Sequence, residues 1–170
     1  MKTILLAAAA ALAFAHPAFA HSGVTHTGCE AGQSFATGYI TVSGAFTRAT
    51  LPGAKAAGGF MTITNNGDEA DRLVGASTKT AKTTEVHQMK MEGDVMKMSK
   101  LADGLDIPGG ATVALEPGGY HVMMMGLGQG LFEGACVEVV LEFEKAGELP
   151  VQLSVGSTDA DEAPMDHMQH

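Results

Sequence analysis

Between residues 38 and 155 the chain never holds a helical period long enough to make an amphipathic helix. Short apolar runs follow one another instead, at 39–42, 45–49, 59–64, 72–76, 83–91, 95–100, 112–115, 121–125, 136–144 and 149–155. Turn pairs such as Asn66-Gly67, Pro108-Gly109 and Pro117-Gly118 cut them apart. Short strands at this spacing bury enough surface only by stacking two sheets or closing one. The expectation is a single all-β domain of Greek-key sandwich type over residues 38–155.

The flanks read differently. Lys2, the apolar run 4–15, the helix-breaking Pro17 and the small-x-small Ala18-Phe19-Ala20 form an export signal over 1–20. The run is shorter than the ~20 residues a membrane span requires, so cleavage before His21, release into the periplasm and no stable membrane insertion are expected. Residues 21–37 are small, polar and Gly-rich, a flexible arm. Residues 156–170 are acidic and Pro-containing, a disordered tail.

The signal holds one Lys and no carboxylate, which leaves 9 Lys+Arg against 19 Asp+Glu in residues 21–170. A net charge of that sign repels phosphate and excludes nucleic acid as a partner. Cys29 and Cys136 are the two cysteines. In an oxidising compartment a pair more often forms a disulfide than a metal site, and copper-ligating thiolates are the other reading. No Ser/His/Asp set, phosphate-binding Gly loop or paired catalytic carboxylate stands in a recognisable context, so an enzyme is not expected.

Eleven Met and seven His, with no Trp, are the compositional oddity, and their placement carries the chemistry. In the segment 83–100 (TTEVHQMKMEGDVMKMSK), Gly93-Asp94 between alternating runs is a two-residue hairpin signal of type II′. That register sets Met91 opposite Met96 and Met89 opposite Met98. Glu85, His87, Met89, Met91, Met96 and Met98 then share one face. A second strand repeats the idea, with His121, Met123 and Met125 on one side and Val122 and Met124 on the other. Thioether sulfur is a soft ligand that selects Cu(I), and imidazole serves copper in either oxidation state. Zinc would usually want thiolate or carboxylate beside imidazole. Methionine also fills cores, and Met91, Met96, Met124 and Met125 read as packing rather than ligands.

Ten residues separate His87 from Met98, and twenty-two more precede His121-x-Met123. This pattern resembles the periplasmic PCuAC copper-chaperone family, with one residue more than its common second spacing, in a Gly-rich turn region. The resemblance runs from residue 40 to residue 155. It includes RATLPGAK at 48–55, TITN at 62–65 and GGYH at 118–121, with Phe46 where members often carry Trp. It implies a cupredoxin-like sandwich with an exposed Cu(I) site near one end, ligated by His87, Met98, His121 and Met123, with Met89 as a neighbour or alternative ligand. It also implies delivery of copper to a periplasmic or membrane-anchored acceptor, such as an oxidase copper subunit during cytochrome c oxidase assembly or another copper carrier.

The ends suggest further copper chemistry. Once freed, the α-amino group and imidazole of His21 can chelate Cu(II), with His26 in reach. Met165, His167, Met168 and His170 form a second Met/His cluster, expected to take a second copper as Cu(II). Two competing functions use the same residues. One is a copper sink for resistance with no dedicated acceptor. The other is a copper redox enzyme built on the N-terminal His, disfavoured because the strongest cluster is sulfur-rich and lies elsewhere.

Overall fold

A computed structural model describes Cys29 and residues 32–164. The expected signal 1–20, His21, His26, Met165, His167, Met168 and His170 lie outside the described residues. Within them there is no helix long and apolar enough to cross a membrane.

Eleven strands account for the domain: β1 Ser34–Thr37, β2 Ile40–Arg48, β3 Ala56–Asn65, β4 Asp71–Ser77, β5 Thr83–Glu92, β6 Val95–Lys100, β7 Leu105–Ile107, β8 Thr112–Leu115, β9 Tyr120–Met125, β10 Cys136–Phe143 and β11 Gly147–Gly156. They form one hydrogen-bonded sheet in the order β6-β5-β9-β8-β3-β2-β11-β10-β4-β7, with β1 added against β2 and a direct β9–β3 pairing. The sheet curls until β4 lies against β5, although the two are not ladder neighbours. This is the expected cupredoxin-like all-β sandwich. Its inward face is a single aliphatic core that includes Ile40, Val42, Ile63, Leu73, Val86, Val122, Met124, Leu141 and Leu153. Burying each such side chain contributes about 1.5–3 kcal/mol.

Alternation explains which side chains face inward, and one irregularity reverses it. Along β2, Ile40 and Val42 point into the core. The pairing with β3 then shifts between Ser43 and Phe46, inserting a bulge. Beyond it Ala45 joins the core, while Phe46 and Arg48, which strict alternation would turn inward, face the other way. That outward face becomes the candidate site.

Two expectations, on the arm and the tail, need correction, and one strand was not expected. The arm at 21–37 is not irregular throughout: Ser34–Thr37 pairs with residues 40–43 as β1, anchored by Phe35 against the core and by the Thr37 hydroxyl on the Ala146 carbonyl. The stretch after β6 contains the three-residue β7, held because Leu105 and Ile107 are buried and Asp106 pairs with Arg72 at 2.7 Å. The first residues of the expected tail are held in place. Gly156 closes β11, and Arg48 ties down the next few residues, donating from Nε to the Ala160 carbonyl (2.8 Å) and from Nη2 to Asp161 (2.7 Å).

Two fastenings hold opposite ends of the β10–β11 hairpin. Cys29 and Cys136 are joined as a disulfide across 107 positions, leaving no free thiol among the described residues. Asp71 is buried at the start of β4, where its carboxylate accepts the backbone N–H groups of Arg72 (2.7 Å), Lys145 (2.9 Å) and Ala146 (2.9 Å). Burial alone would raise its pKa. The three N–H donors and the Lys145 charge outweigh that and hold the carboxyl below its ordinary 3.8.

Candidate metal centre

The β5–β6 hairpin has the predicted register. Gly93 takes φ +63° at the first turn position, where a side chain would be strained, and Asp94 keeps a negative φ, as a type II′ turn requires. Met91 lies opposite Met96, Met89 opposite Met98 and His87 opposite Lys100. The sequence could not show what flanks β5 on its other side. Antiparallel β9 pairs there with His87 opposite His121 and Glu85 opposite Met123. Val86 and Val122, which alternate with these, sit in the core. The two histidines are therefore direct cross-strand neighbours on the outer face, their ring centroids 5.8 Å apart and roughly edge-on.

The same face continues as an aromatic floor. Phe60 of β3 stacks obliquely on Phe46 (5.1 Å) and reaches His121 (6.5 Å), and Arg48 lies 5.9 Å above the Phe60 ring. Gly58 makes room for this ring, since a Cβ there would come within 2.8 Å of the Phe60 Cζ. His87 and His121 are only 8% and 7% exposed. The resemblance implies an exposed site; here the nitrogens are recessed, while Met98 stands 49% exposed at their edge.

Hydrogen bonds fix which nitrogen of each ring is free. A carbonyl or carboxylate oxygen only accepts, so the ring nitrogen facing it carries the proton. His121 donates from Nδ1 to the Gly119 carbonyl at 3.2 Å, which leaves its lone pair on Nε2. His87 donates from Nε2 to Glu85 Oε2 at 2.9 Å, the tautomer that in a neutral ring leaves the lone pair on Nδ1. That Nδ1 is buried and without a hydrogen-bond partner. Glu85 is itself held by Lys100 at 2.9 Å, and its pKa is lowered first by the His87 bond and then by the Lys100 bond. Burial lowers the His121 pKa, partly offset by the Gly119 bond and reinforced by the nearby His87.

A ring whose nitrogen ligates an ion at about 2 Å has its centroid roughly 3 Å from that ion. The 5.8 Å separation therefore suits two imidazoles on one ion. A carboxylate donating its charge to the back of a ligating histidine is the usual outer partner of such a ligand, and Glu85 occupies that place behind His87. Met123 follows His121 by two residues on the same face, and Met98 lies diagonally across from His87 beside Met89. No group of three His, Cys, Asp or Glu side chains that could hold a metal occurs among the described residues. The donors gathered here are two imidazoles and neighbouring thioethers, a set for a soft ion.

Other expectations sort by burial. Met124 is fully buried in the core, and Met125 is partly covered. Met91 and Met96 are not packed: they stand 53% and 49% exposed. The reason is that β9 covers β5 only from Thr83 to Gln88, so the hairpin beyond projects past the sheet. Sequence reasoning placed Glu85 on the right face but missed its bond to His87. It missed Phe60 and the Gly119 carbonyl altogether, because both depend on strands brought together by the fold. A cleft of about 580 Å³ lined by Tyr39, Asn66, Glu69, Asp71 and Lys145 shares no residue with the imidazole pair. Two of its carboxylates are already engaged, Glu69 by Lys145 and Asp71 by backbone N–H groups.

Fold and face together define a β-sandwich protein with a recessed His pair rimmed by methionines. The family described as "Putative lipoprotein LpqE-like" matches residues 40–155, and the chain belongs to it. "Putative lipoprotein Lxx21020" of Leifsonia xyli subsp. xyli is 33% identical over 116 residues, 68% of this chain and 69% of that one. The copper-bound PCuAC domain from PmoF2 superposes with a TM-score of 0.63 at 27% identity, covering 74% of this chain and 98% of that domain. The Cu(I) form of DR1885 from Deinococcus radiodurans gives 0.58 at 29%, covering 76% and 83%.

Proposed function

We propose that this protein is an exported copper carrier that holds one Cu(I) through His87 Nδ1, His121 Nε2, Met98 and Met123 and releases it by ligand exchange to an acceptor protein. The observation that carries the reading is the buried, unpartnered Nδ1 of His87, in a ring beside an imidazole whose tautomer leaves Nε2 free. An unsatisfied buried acceptor costs about 1–3 kcal/mol; an ion there would relieve it. Cu(I) tolerates low coordination and favours thioether sulfur, which matches the Met98 and Met123 rim. Similarity to copper-bound PCuAC domains supports the same cargo.

Transfer is a consequence of the exposure gradient. The imidazoles are recessed and Met98 is half exposed, so an incoming ligand would displace the outer thioether first. The signal-like residues 1–20 and the lipoprotein description of the relatives support export to the periplasm. The acceptor would be a copper-receiving periplasmic or membrane-anchored protein, with an oxidase copper subunit the one implied by the PCuAC resemblance. The test is an anaerobic Cu(I) competition titration of the chain against its His87→Ala/His121→Ala variant. Loss of more than the ~100-fold that removing an outer partner costs supports the reading, and equal affinity overturns it.

A further inference from the structure

The methionines absorbed by neither the core nor the four-ligand set lie on one patch. Met91 faces Met96 and Met89 faces Met98 as successive cross-strand pairs on the same side of the β5–β6 hairpin. Directly opposite residues place their Cβ atoms roughly 5 Å apart, and each thioether has freely rotating bonds to swing its sulfur over the gap. The four side chains therefore leave the backbone at the corners of a small rectangle next to the imidazole pair, Met98 being common to this patch and the four-ligand set.

Packing does not account for this patch. Met91, Met96 and Met98 stay about half exposed, forgoing about half of what burial would contribute. They lie on β5 and the edge strand β6, where apolar side chains invite edge-to-edge association and sulfur is open to oxidation. The opposite side of the hairpin carries Gln88, Lys90, Lys97 and Ser99, with Lys97 paired to Glu92. The apolar character is thus one-sided and consists of sulfur, apart from Val95 at the turn.

We propose that Met89, Met91, Met96 and Met98 form a second, all-thioether site for a soft monovalent cation, Cu(I) or Ag(I). Uncharged thioethers select such ions over Zn(II) or Mg(II). Sitting further out than the recessed nitrogens, the site is a place where an ion is held before entering, or after leaving, the imidazole centre. The proposal extends the copper-carrier reading but fails separately from it.

The test uses the full chain with 13C-methyl-labelled methionine in the His87→Ala/His121→Ala background, titrated with Ag(I), with resonances assigned by Met→Leu substitution. The expected result is that the Met89, Met91, Met96 and Met98 methyls move together and saturate near one equivalent. Adding Met91→Leu/Met96→Leu, conservative changes at half-exposed positions, should weaken that uptake at least tenfold. In the chain with both histidines, the same pair of Leu substitutions should leave Cu(I) affinity at the imidazole centre unchanged. Methyls of Met91 and Met96 that stay still while Ag(I) is taken up elsewhere, or no uptake at all, would overturn the proposal. The copper-carrier reading would still stand or fall on the histidine variant alone.

Discussion

On β9, Met124 is sealed in the core, while Met98 on β6, two strands away in the same sheet, leaves half its surface to solvent. The residue type is the same and the consequences differ. Met124 alternates with His121 and Met123, so one residue's shift in register would exchange a core side chain for a candidate ligand. What separates the two roles is strand parity and the reach of β9, which covers the inner half of the hairpin and leaves the outer half projecting.

The sharpest way to break this comparison is to truncate the buried member. Met124→Ala should cost about 2–5 kcal/mol in denaturant unfolding and leave Cu(I) affinity nearly unchanged; a large affinity loss would mean the two faces are not separable. Asp71→Asn should cost about 1–3 kcal/mol, since a carboxamide N–H cannot receive a backbone donor. The pH dependence has a definite sign. A carboxyl held below 3.8 in the fold contributes stability above that pH and loses it as pH falls through its depressed folded value. Acid unfolding of the native chain should include this loss, and the Asn variant should lack it.

Glu85→Gln should weaken Cu(I) binding about 10- to 100-fold, the usual cost of losing a carboxylate behind a ligating histidine, with the fold retained in circular dichroism. The smallest stability effect is expected for Met98→Leu, within about 0.5 kcal/mol at an exposed position. Its affinity should nonetheless drop, because leucine has no lone pair. If Met98→Leu changed stability more than affinity, Met98 would belong with Met124 as packing.

Much of this was legible in the sequence where a short turn set the geometry. Gly93-Asp94 fixed the pairing of Met89 with Met98 and of Met91 with Met96, because a two-residue loop leaves one register. The adjacency of His87 and His121 was not legible. Thirty-three residues separate them, and their register comes from the curl of the whole sheet. Phe46 escaped for a related reason: the bulge before it reverses the alternation by which its direction would be read. β1 and β7 are too short and too polar to show a period, and they exist because Phe35, Leu105 and Ile107 find the core.

The most direct test of the account is long-range 1H–15N NMR of the histidine side chains before and after one equivalent of Cu(I). Shifts at His87 Nδ1 and His121 Nε2, with the opposite nitrogens still protonated, are the predicted result. Rings that stay unchanged while the chain takes up the copper elsewhere would contradict it.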